Sequence, residues 1–134
     1  MSKAMEPQIL LDPNWEWVDG TYTLSRKGRS NINTLQISIA LNKEEKILGI
    51  SALDMLALNW VERIGGKSLQ QFRGRCSYGE FSSSIFSAKD FPHCQLWCIS
   101  NGIHFIFATF ICDVTPTAEE LNEVEAMALS LTLG

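Results

Sequence analysis

The chain has 134 residues, of which 46% are hydrophobic and 19% are charged, and its formal net charge is −4. This composition predicts one folded domain over residues 1–134, with residues 1–14 as a candidate flexible segment. The negative charge disfavours nucleic-acid binding. No stretch approaches the ~18 apolar residues that span a bilayer, and Ile9-Leu10-Leu11 is too short for the ~7 to 15 residue core of a secretory signal. We therefore expect a cytoplasmic protein without membrane contact.

The N-terminal part of the chain has the pattern of a hairpin. From Trp15 to Leu24, large apolar residues alternate on either side of Asp19-Gly20, a dipeptide that tolerates the positive φ of a tight turn. Trp15 and Trp17 lie in this segment, where a large ring either covers the core or remains exposed as an anchor for a partner. A strand with one buried face follows, because apolar side chains alternate with polar ones at Leu35, Ile37, Ile39 and Leu41.

A helix is predicted next, over residues 51–64. Ser51 with Asp54 three residues later resembles a capping box, and apolar residues then recur at helical spacing. Gly65-Gly66 ends the helix, since glycine accepts the left-handed conformation of a final turn. Residues 69–72 and 78–86 are weaker strand candidates, and Asp90-Phe91-Pro92 is a predicted break.

The strongest local signal is Asn101-Gly102 between two apolar runs, which is typical of a β-hairpin. With a two-residue turn, Ser100 faces Ile103 and Cys98 faces Phe105. Both faces of the hairpin are apolar, with Phe105 and Phe107 on one side and Ile106 on the other. Such strands belong in the middle of a sheet that has something packed on each face.

A second helix follows Thr115-Pro116-Thr117, where Glu120 completes a capping box with Thr117. Its apolar residues predict a buried stripe, with Glu119, Glu120 and Glu123 on the outer side. No Lys or Arg follows residue 90, so the excess negative charge lies near the C-terminus. Either these groups form a solvated helix face or they attract a basic partner. The acidic residues are Asp113, Glu119, Glu120, Glu123 and Glu125.

The four cysteines are predicted to be reduced thiols, because no export signal accompanies them. Cys94 and Cys98 lie four residues apart in a predicted strand, so their Cα atoms are roughly 13 Å apart, too far for a disulfide. A zinc site with His93 and His104 is also disfavoured, since His104 points to the other face from Cys98. We expect neither a metal nor another cofactor.

The sequence has no clear catalytic motif. Gly66-Lys67-Ser68 matches only the tail of a phosphate-binding loop, and it follows a helix instead of preceding one. The sequence has no Gly-x-Ser-x-Gly elbow, and only two histidines to serve as a base. The carboxylate pairs Glu44-Glu45 and Glu119-Glu120 occur in charged surroundings that would not raise a carboxyl pKa. The chain is therefore predicted not to be an enzyme.

The order of these elements resembles that of the PsbP-like fold and its bacterial DcrB-type relatives. The resemblance covers roughly residues 35–133 and consists of loose hydrophobic patterns. It implies an α+β fold in which an antiparallel sheet is packed between helices. The residues that carry it are Trp60 before Gly65-Gly66, Gln95-Leu96-Trp97, Asn101-Gly102, the run from Phe105 to Phe110, and the helix from Glu119-Glu120 to Ser130-Leu131.

The resemblance implies a binding protein, since members of that superfamily are mostly not enzymes. Small, acidic cytoplasmic domains of this kind resemble the immunity proteins of interbacterial-competition loci. Our leading hypothesis is therefore an immunity protein that neutralises a basic toxin, such as a nuclease, by binding it. The expected interface residues are the five C-terminal acidic residues together with Trp15 and Trp17. The alternative is a chaperone that offers an apolar groove to a secreted effector. The oligomeric state stays open.

Overall fold

The structure is a computed structural model that describes residues 6–28, 33–40, 50–102 and 104–133. The predicted pairing of Ile103 and the carboxylate pair Glu44-Glu45 lie outside these residues. Within the described ranges, the elements in chain order are β1 (Pro7–Gln8), β2 (Trp15–Val18), β3 (Thr23–Arg26), β4 (Asn33–Ala40), α1 (Ile50–Arg63), β5 (Lys67–Arg75), β6 (Glu80–Ala88), β7 (Phe91–Ser100), β8 (Phe105–Cys112), α2 (Ala118–Leu129) and β9 (Thr132–Leu133).

Seven of the described strands form one antiparallel sheet, in the order β2-β3-β4-β8-β7-β6-β5. Its central strand is β8, which pairs with β4 on one side and with β7 on the other. Phe105 and Ile106 point to opposite faces of β8, and both are buried. Phe107 is partly buried on the same face as Phe105. The predicted central position of this hairpin, with both of its faces covered, is confirmed.

The β7–β8 hairpin has a wider connection than the predicted two-residue turn. Ser100 pairs with Phe105, so the predicted register is wrong by two residues along β8. The reason is side-chain hydrogen bonding inside the loop: Ser100 Oγ accepts from the Gly102 N–H at 2.9 Å, and Asn101 Oδ1 accepts from the His104 N–H at 3.0 Å. Because side chains alternate with a period of two, a two-residue shift leaves each side chain on its predicted face.

The N-terminal hairpin of β2 and β3 is confirmed, with Gly20 at a φ of +78° in its turn. Val18 pairs with Thr23, so the turn has four residues instead of the predicted two. The segment before it is attached to the other end of the chain. β1 pairs antiparallel with β9, and the Leu10 N–H donates to Ser130 Oγ at 3.0 Å. Part of the candidate flexible segment 1–14 therefore pairs with the end of the domain.

The Gly65-Gly66 pair ends α1, as predicted. The Gly66 N–H donates to the Val61 carbonyl at 2.9 Å, and the Gly65 N–H donates to the Glu62 carbonyl at 3.0 Å. Gly65 has a φ of +76°. These two bonds and the left-handed residue together make a Schellman motif, which satisfies carbonyls at the helix end.

The start of α1 differs from the prediction. Ser51 lies inside the helix, because Ile50 is already helical, so Ser51 and Asp54 do not form a capping box. Asp54 contacts the sheet instead. It accepts a hydrogen bond from Ser82 Oγ in β6 at 2.6 Å and forms an ion pair with Arg73 in β5. This carboxylate therefore links α1 to two neighbouring strands.

The two helices pack on opposite faces of the sheet. Alternation along β7 sends Leu96 and Cys98 to the face covered by α1, and Trp97 and Ile99 to the face covered by α2. The predicted α+β fold, an antiparallel sheet packed between helices, is thereby confirmed. Neither α1 nor α2 has the length and apolar character needed to cross a membrane.

The weak strand predictions are also confirmed, as β5 and β6, each nine residues long. The predicted break at residues 90–92 is displaced by about one residue. The turn is at Lys89 and Asp90, and Phe91 and Pro92 already belong to β7. Asp90 has a φ of +70°, a left-handed conformation that Asp tolerates better than most residues.

The four cysteines, all among the described residues, form no disulfide and differ in accessibility, which leads to a first prediction. Cys94, Cys98 and Cys112 are buried, whereas Cys76 is partly exposed. Burial raises the pKa of Cys98 to about 12 and that of Cys94 to about 11. Because the thiolate is the reactive form, a thiol reagent should label Cys76 first and the other three only on unfolding. Timed labelling followed by mass spectrometry measures this order.

The same samples, denatured without reductant, provide the control, since all four thiols should then react. Rapid labelling of a buried cysteine in the native protein, or a stoichiometric disulfide in the denatured sample, would contradict the prediction.

Candidate functional site

The five acidic residues near the C-terminus do not share one surface. Glu119 and Glu125 are exposed and Asp113 is partly buried, but Glu120 is only 1% exposed and Glu123 only 8%. The prediction that Glu120 and Glu123 lie on the outer side of α2 is therefore wrong. A carboxylate removed from water needs a counter-charge or hydrogen bonds, and both of these residues have them.

Glu123 accepts hydrogen bonds from three side chains of the N-terminal segment. Arg26 donates through Nε at 2.9 Å and through Nη2 at 3.2 Å, Trp15 Nε1 donates at 3.0 Å, and Asn14 Nδ2 donates at 2.7 Å. The bond from Arg26 is the largest cause that lowers the pKa of Glu123 to about 2, from an ordinary value of 4.5. The stability that this carboxylate contributes is present at neutral pH. It is lost only as the pH falls from about 4.5 to about 2, where the carboxylate takes up a proton.

Glu120 links α2 to β4. Its side chain accepts a hydrogen bond from Asn33 Nδ2. The same residue closes the predicted capping box, since Thr117 Oγ1 accepts from the Glu120 N–H at 3.1 Å and Glu120 Oε1 accepts from the Thr117 N–H at 3.4 Å. The capping box is confirmed, and its glutamate also holds the first turn of α2 against the sheet.

The two tryptophans of the N-terminal hairpin occupy different environments. Trp15 is 1% exposed and packs edge-on against Phe110, with ring centroids 6.2 Å apart. It is therefore a core residue. Trp17 is 40% exposed, and Val18 and Tyr22 at the same end of the hairpin are exposed as well. Of the two, only Trp17 presents an aromatic surface to a partner.

These contacts place the N-terminal half of α2 over β2, β3 and β4. Its two buried glutamates contact side chains of β2, β3 and β4. On the opposite face, α1 packs against β5, β6 and β7. The C-terminal end of α2 reaches the β5–β6 turn, where the Ser77 N–H donates to the Leu129 carbonyl at 3.2 Å and Tyr78 and Phe81 pack against the α2 cluster.

Beside α2 on this face of the sheet lies a groove of about 480 Å³, which we call the α2–β5 groove. Side chains of β6 and β7 form its floor, α2 forms one wall and β5 forms the other. The groove combines apolar and polar groups. It is lined by Phe72, Arg73, Phe81, Ser83, Ile85, His93, Gln95, Trp97, Leu121, Asn122 and Glu125.

His93 lies in the α2–β5 groove with its ring edge-on to Phe110, at a centroid distance of 6.2 Å. Its Nε2 atom is buried and has no hydrogen-bond partner among the described residues. Burial lowers the pKa of His93 below the ordinary 6.5, because the charged ring would lose its hydration. The ring is therefore neutral at pH 7, and the charged residues of the groove are Arg73 and Glu125.

The part of the chain that the structure describes disfavours a metal site and a phosphate-binding loop. It contains no group of three His, Cys, Asp or Glu side chains positioned for a metal ion. Cys94 and Cys98 lie in the core under α1, whereas His93 contacts Phe110 on the other face. Lys67 opens β5 after α1, the reverse of the order in a phosphate-binding loop.

Comparison with known proteins supports the fold. No protein-family model matches the chain, and no curated protein matches its sequence. The solution structure of the cyanobacterial PsbP protein (CyanoP) from Synechocystis sp. PCC 6803 superposes with a TM-score of 0.54, over 96% of this chain and 92% of that one, at 10% sequence identity. The chain therefore has a PsbP-like α+β fold. At this identity, the likeness concerns the fold alone.

The α2–β5 groove brings together one of the predicted site residues, Glu125, and several that the sequence analysis did not single out. Phe81 and Ile85 belong to a strand whose signal is diluted by serines, and an uncovered apolar side chain has the same pattern as a buried one. Trp17 belongs to β2, at the opposite edge of the sheet. No local sequence signal distinguishes the groove residues from the core.

The partly buried ring of His93 predicts a pH dependence of stability. Because its pKa is lower in the folded state, the unfolded chain takes up a proton more readily below about pH 6.5. The free energy of unfolding should therefore decrease as the pH falls from about 7.5 to about 5, and His93→Gln should lack this part of the decrease. Urea unfolding across this pH range measures the effect.

The matched control is His104→Gln, which removes the other histidine of the chain and keeps His93. It should retain the pH dependence that His93 causes. If the wild-type protein and His93→Gln have the same pH profile, the neutral buried state of His93 is refuted.

Proposed function

We propose that this domain is a non-catalytic protein-binding module whose α2–β5 groove receives an amphipathic helix of its partner. The observation that carries the proposal is the groove beside α2, in which Phe81 and Ile85 are only partly buried. A concave surface that combines apolar side chains with a few polar groups is typical of a binding site.

The dimensions of the groove suit a helix. β5 and β7 are two strand spacings apart, roughly 10 Å, which is the diameter of an α-helix with its side chains. A helix placed beside α2 would complete the layer on this face of the sheet, as helices do in other layered folds. Binding of an apolar helix face in such a groove is a recurrent mode of protein recognition.

The charges of the groove specify the kind of helix. Its apolar stripe would contact Phe81 and Ile85 on the floor. Glu125 on the α2 wall is exposed and favours Lys or Arg on that side of the partner. Arg73 on the β5 wall is already paired with Asp54, so the α2 side has the stronger electrostatic preference. We therefore expect a helix with an apolar stripe bordered by basic residues.

A groove for a helix is what the chaperone alternative requires. Neutralisation of a basic toxin remains a second proposal, which the exposed carboxylates of Glu119 and Glu125 support. Because Glu120 and Glu123 are held inside the domain, the acidic surface is smaller than the sequence suggested. Electrostatic steering of a basic partner by α2 is reduced accordingly.

A designed peptide with the chemistry expected of the partner helix tests the proposed site directly. The probe is a peptide of about 16 residues, about 24 Å long as a helix, with a leucine stripe bordered by lysines. We expect it to bind more tightly than the same peptide with glutamates in place of lysines. NMR titration should place the largest shifts at Phe81, Ile85 and Leu121, which line the groove.

The variant Glu125→Lys should weaken binding of the lysine peptide by about tenfold and reduce its advantage over the glutamate peptide. Glu62→Lys is the matched control, since Glu62 is an exposed glutamate on α1, the helix of the other face. Equal losses in both variants, or shifts that map away from the groove, would show that the peptide binds elsewhere.

A further inference from the structure

We infer that the free edge of β5 is a second binding surface, which takes an extended partner segment of alternating acidic and apolar residues as an added strand. β5 is the last strand of the seven-stranded sheet and pairs only with β6 in the described chain. Pairing with β6 holds its backbone extended over nine residues. The outward N–H and C=O groups of such an edge are available to another strand.

The two faces of β5 differ in chemistry. Arg73 and Arg75 lie on the face that carries α1, where Arg73 meets Asp54. Phe72 lies on the other face, where it forms part of the wall of the α2–β5 groove. Since side chains of an added strand alternate between the same two faces, its acidic residues would lie beside the arginines and its apolar residues beside Phe72.

The positive charge of β5 is only partly neutralised within the domain. The strand has three basic residues and no acidic one. Asp54 pairs with Arg73, and Glu80 is the cross-strand neighbour of Arg75, while Lys67 lies opposite Ser87. A guanidinium group has five N–H donors, so each arginine retains donors for a further carboxylate.

The same charges disfavour a second copy of the chain as the occupant of this edge. An antiparallel pairing of two β5 strands centred on Arg73 would place the Arg73 side chains of the two copies opposite each other. Like charges directly opposite each other destabilise a strand pair. An acidic strand makes favourable pairs at the same positions, which is why we assign the edge to a different, acidic segment.

Exposed apolar side chains on β5 also favour binding of a partner strand. Leu69 is 60% exposed and Phe72 is 39% exposed. A register shift between Ser68 and Gln70 leaves Leu69 without a direct partner on β6. The proposed strand therefore pairs with Gln70–Arg75 on the regular side of this bulge, and it covers Phe72.

The test uses a ten-residue peptide of alternating glutamate and valine, with blocked ends, added to the full-length protein. Amide hydrogen exchange, read by NMR, should slow by about tenfold or more at alternate residues of β5, because only a paired strand protects those outward amides. A peptide with lysine in place of glutamate should protect them less. A glutamate–valine peptide with N-methyl groups on alternate residues should not protect them, since it lacks the donors.

A charge-reversal variant, Arg75→Glu, should bind the glutamate peptide about tenfold or more weakly and the lysine peptide more tightly. The matched control, Lys89→Glu, makes the same change in net charge at an exposed position outside β5. Glu125→Lys, which alters the α2–β5 groove, should leave this binding unchanged, so a failure of the strand site is distinguishable from a failure of the groove.

Three results would overturn the inference. The first is the absence of β5 protection at millimolar peptide, and the second is equal protection by the glutamate and lysine peptides. The third is that the wild-type protein sediments as a dimer while the charge-reversal variant sediments as a monomer, since a second copy would then occupy the edge.

Discussion

The carboxylate of Glu123 fixes the position of α2 on the sheet, and the arrangement of the groove depends on it. This group is nearly excluded from water, so its charge is tolerated only while Asn14, Trp15 and Arg26 all donate to it. Movement of α2 towards β5 would break these bonds and leave a buried charge without its partners. The cost of that state holds the N-terminal half of α2 over β2, β3 and β4.

The offset of the two helices follows from this constraint together with the packing of α1. On one face, the contacts of Asp54 hold α1 beside β5 and β6. On the other face, the contacts of Glu123 hold α2 beside β2 and β3. A cavity lies beside the helix on each face. On the α2 face it is the α2–β5 groove, and on the α1 face it is a smaller cavity of about 330 Å³ beside Trp60 and Phe107. The PsbP-like fold accommodates both without specifying what they bind.

Local signals in the sequence predicted much of this fold. Asn101-Gly102 marked the central hairpin and Gly65-Gly66 marked the end of α1, because each dipeptide acts within a few residues of itself. Glu123 was misplaced for the opposite reason. Helical periodicity assigns a glutamate to solvent, and the residue that pairs with it, Arg26, lies 97 positions away in the chain. The groove was not predictable, since it results from where a whole helix sits on the sheet.

The energetic coupling between Arg26 and Glu123 tests the anchoring of α2 most directly. A double-mutant cycle with Arg26→Gln, Glu123→Gln and the two together isolates it from the free energies of unfolding in urea. Hydrogen bonds to a charged, buried group predict a coupling of about 1.5 to 3 kcal/mol at neutral pH. A coupling below about 0.5 kcal/mol, typical of an exposed ion pair, would contradict the claim that this carboxylate holds α2 in place.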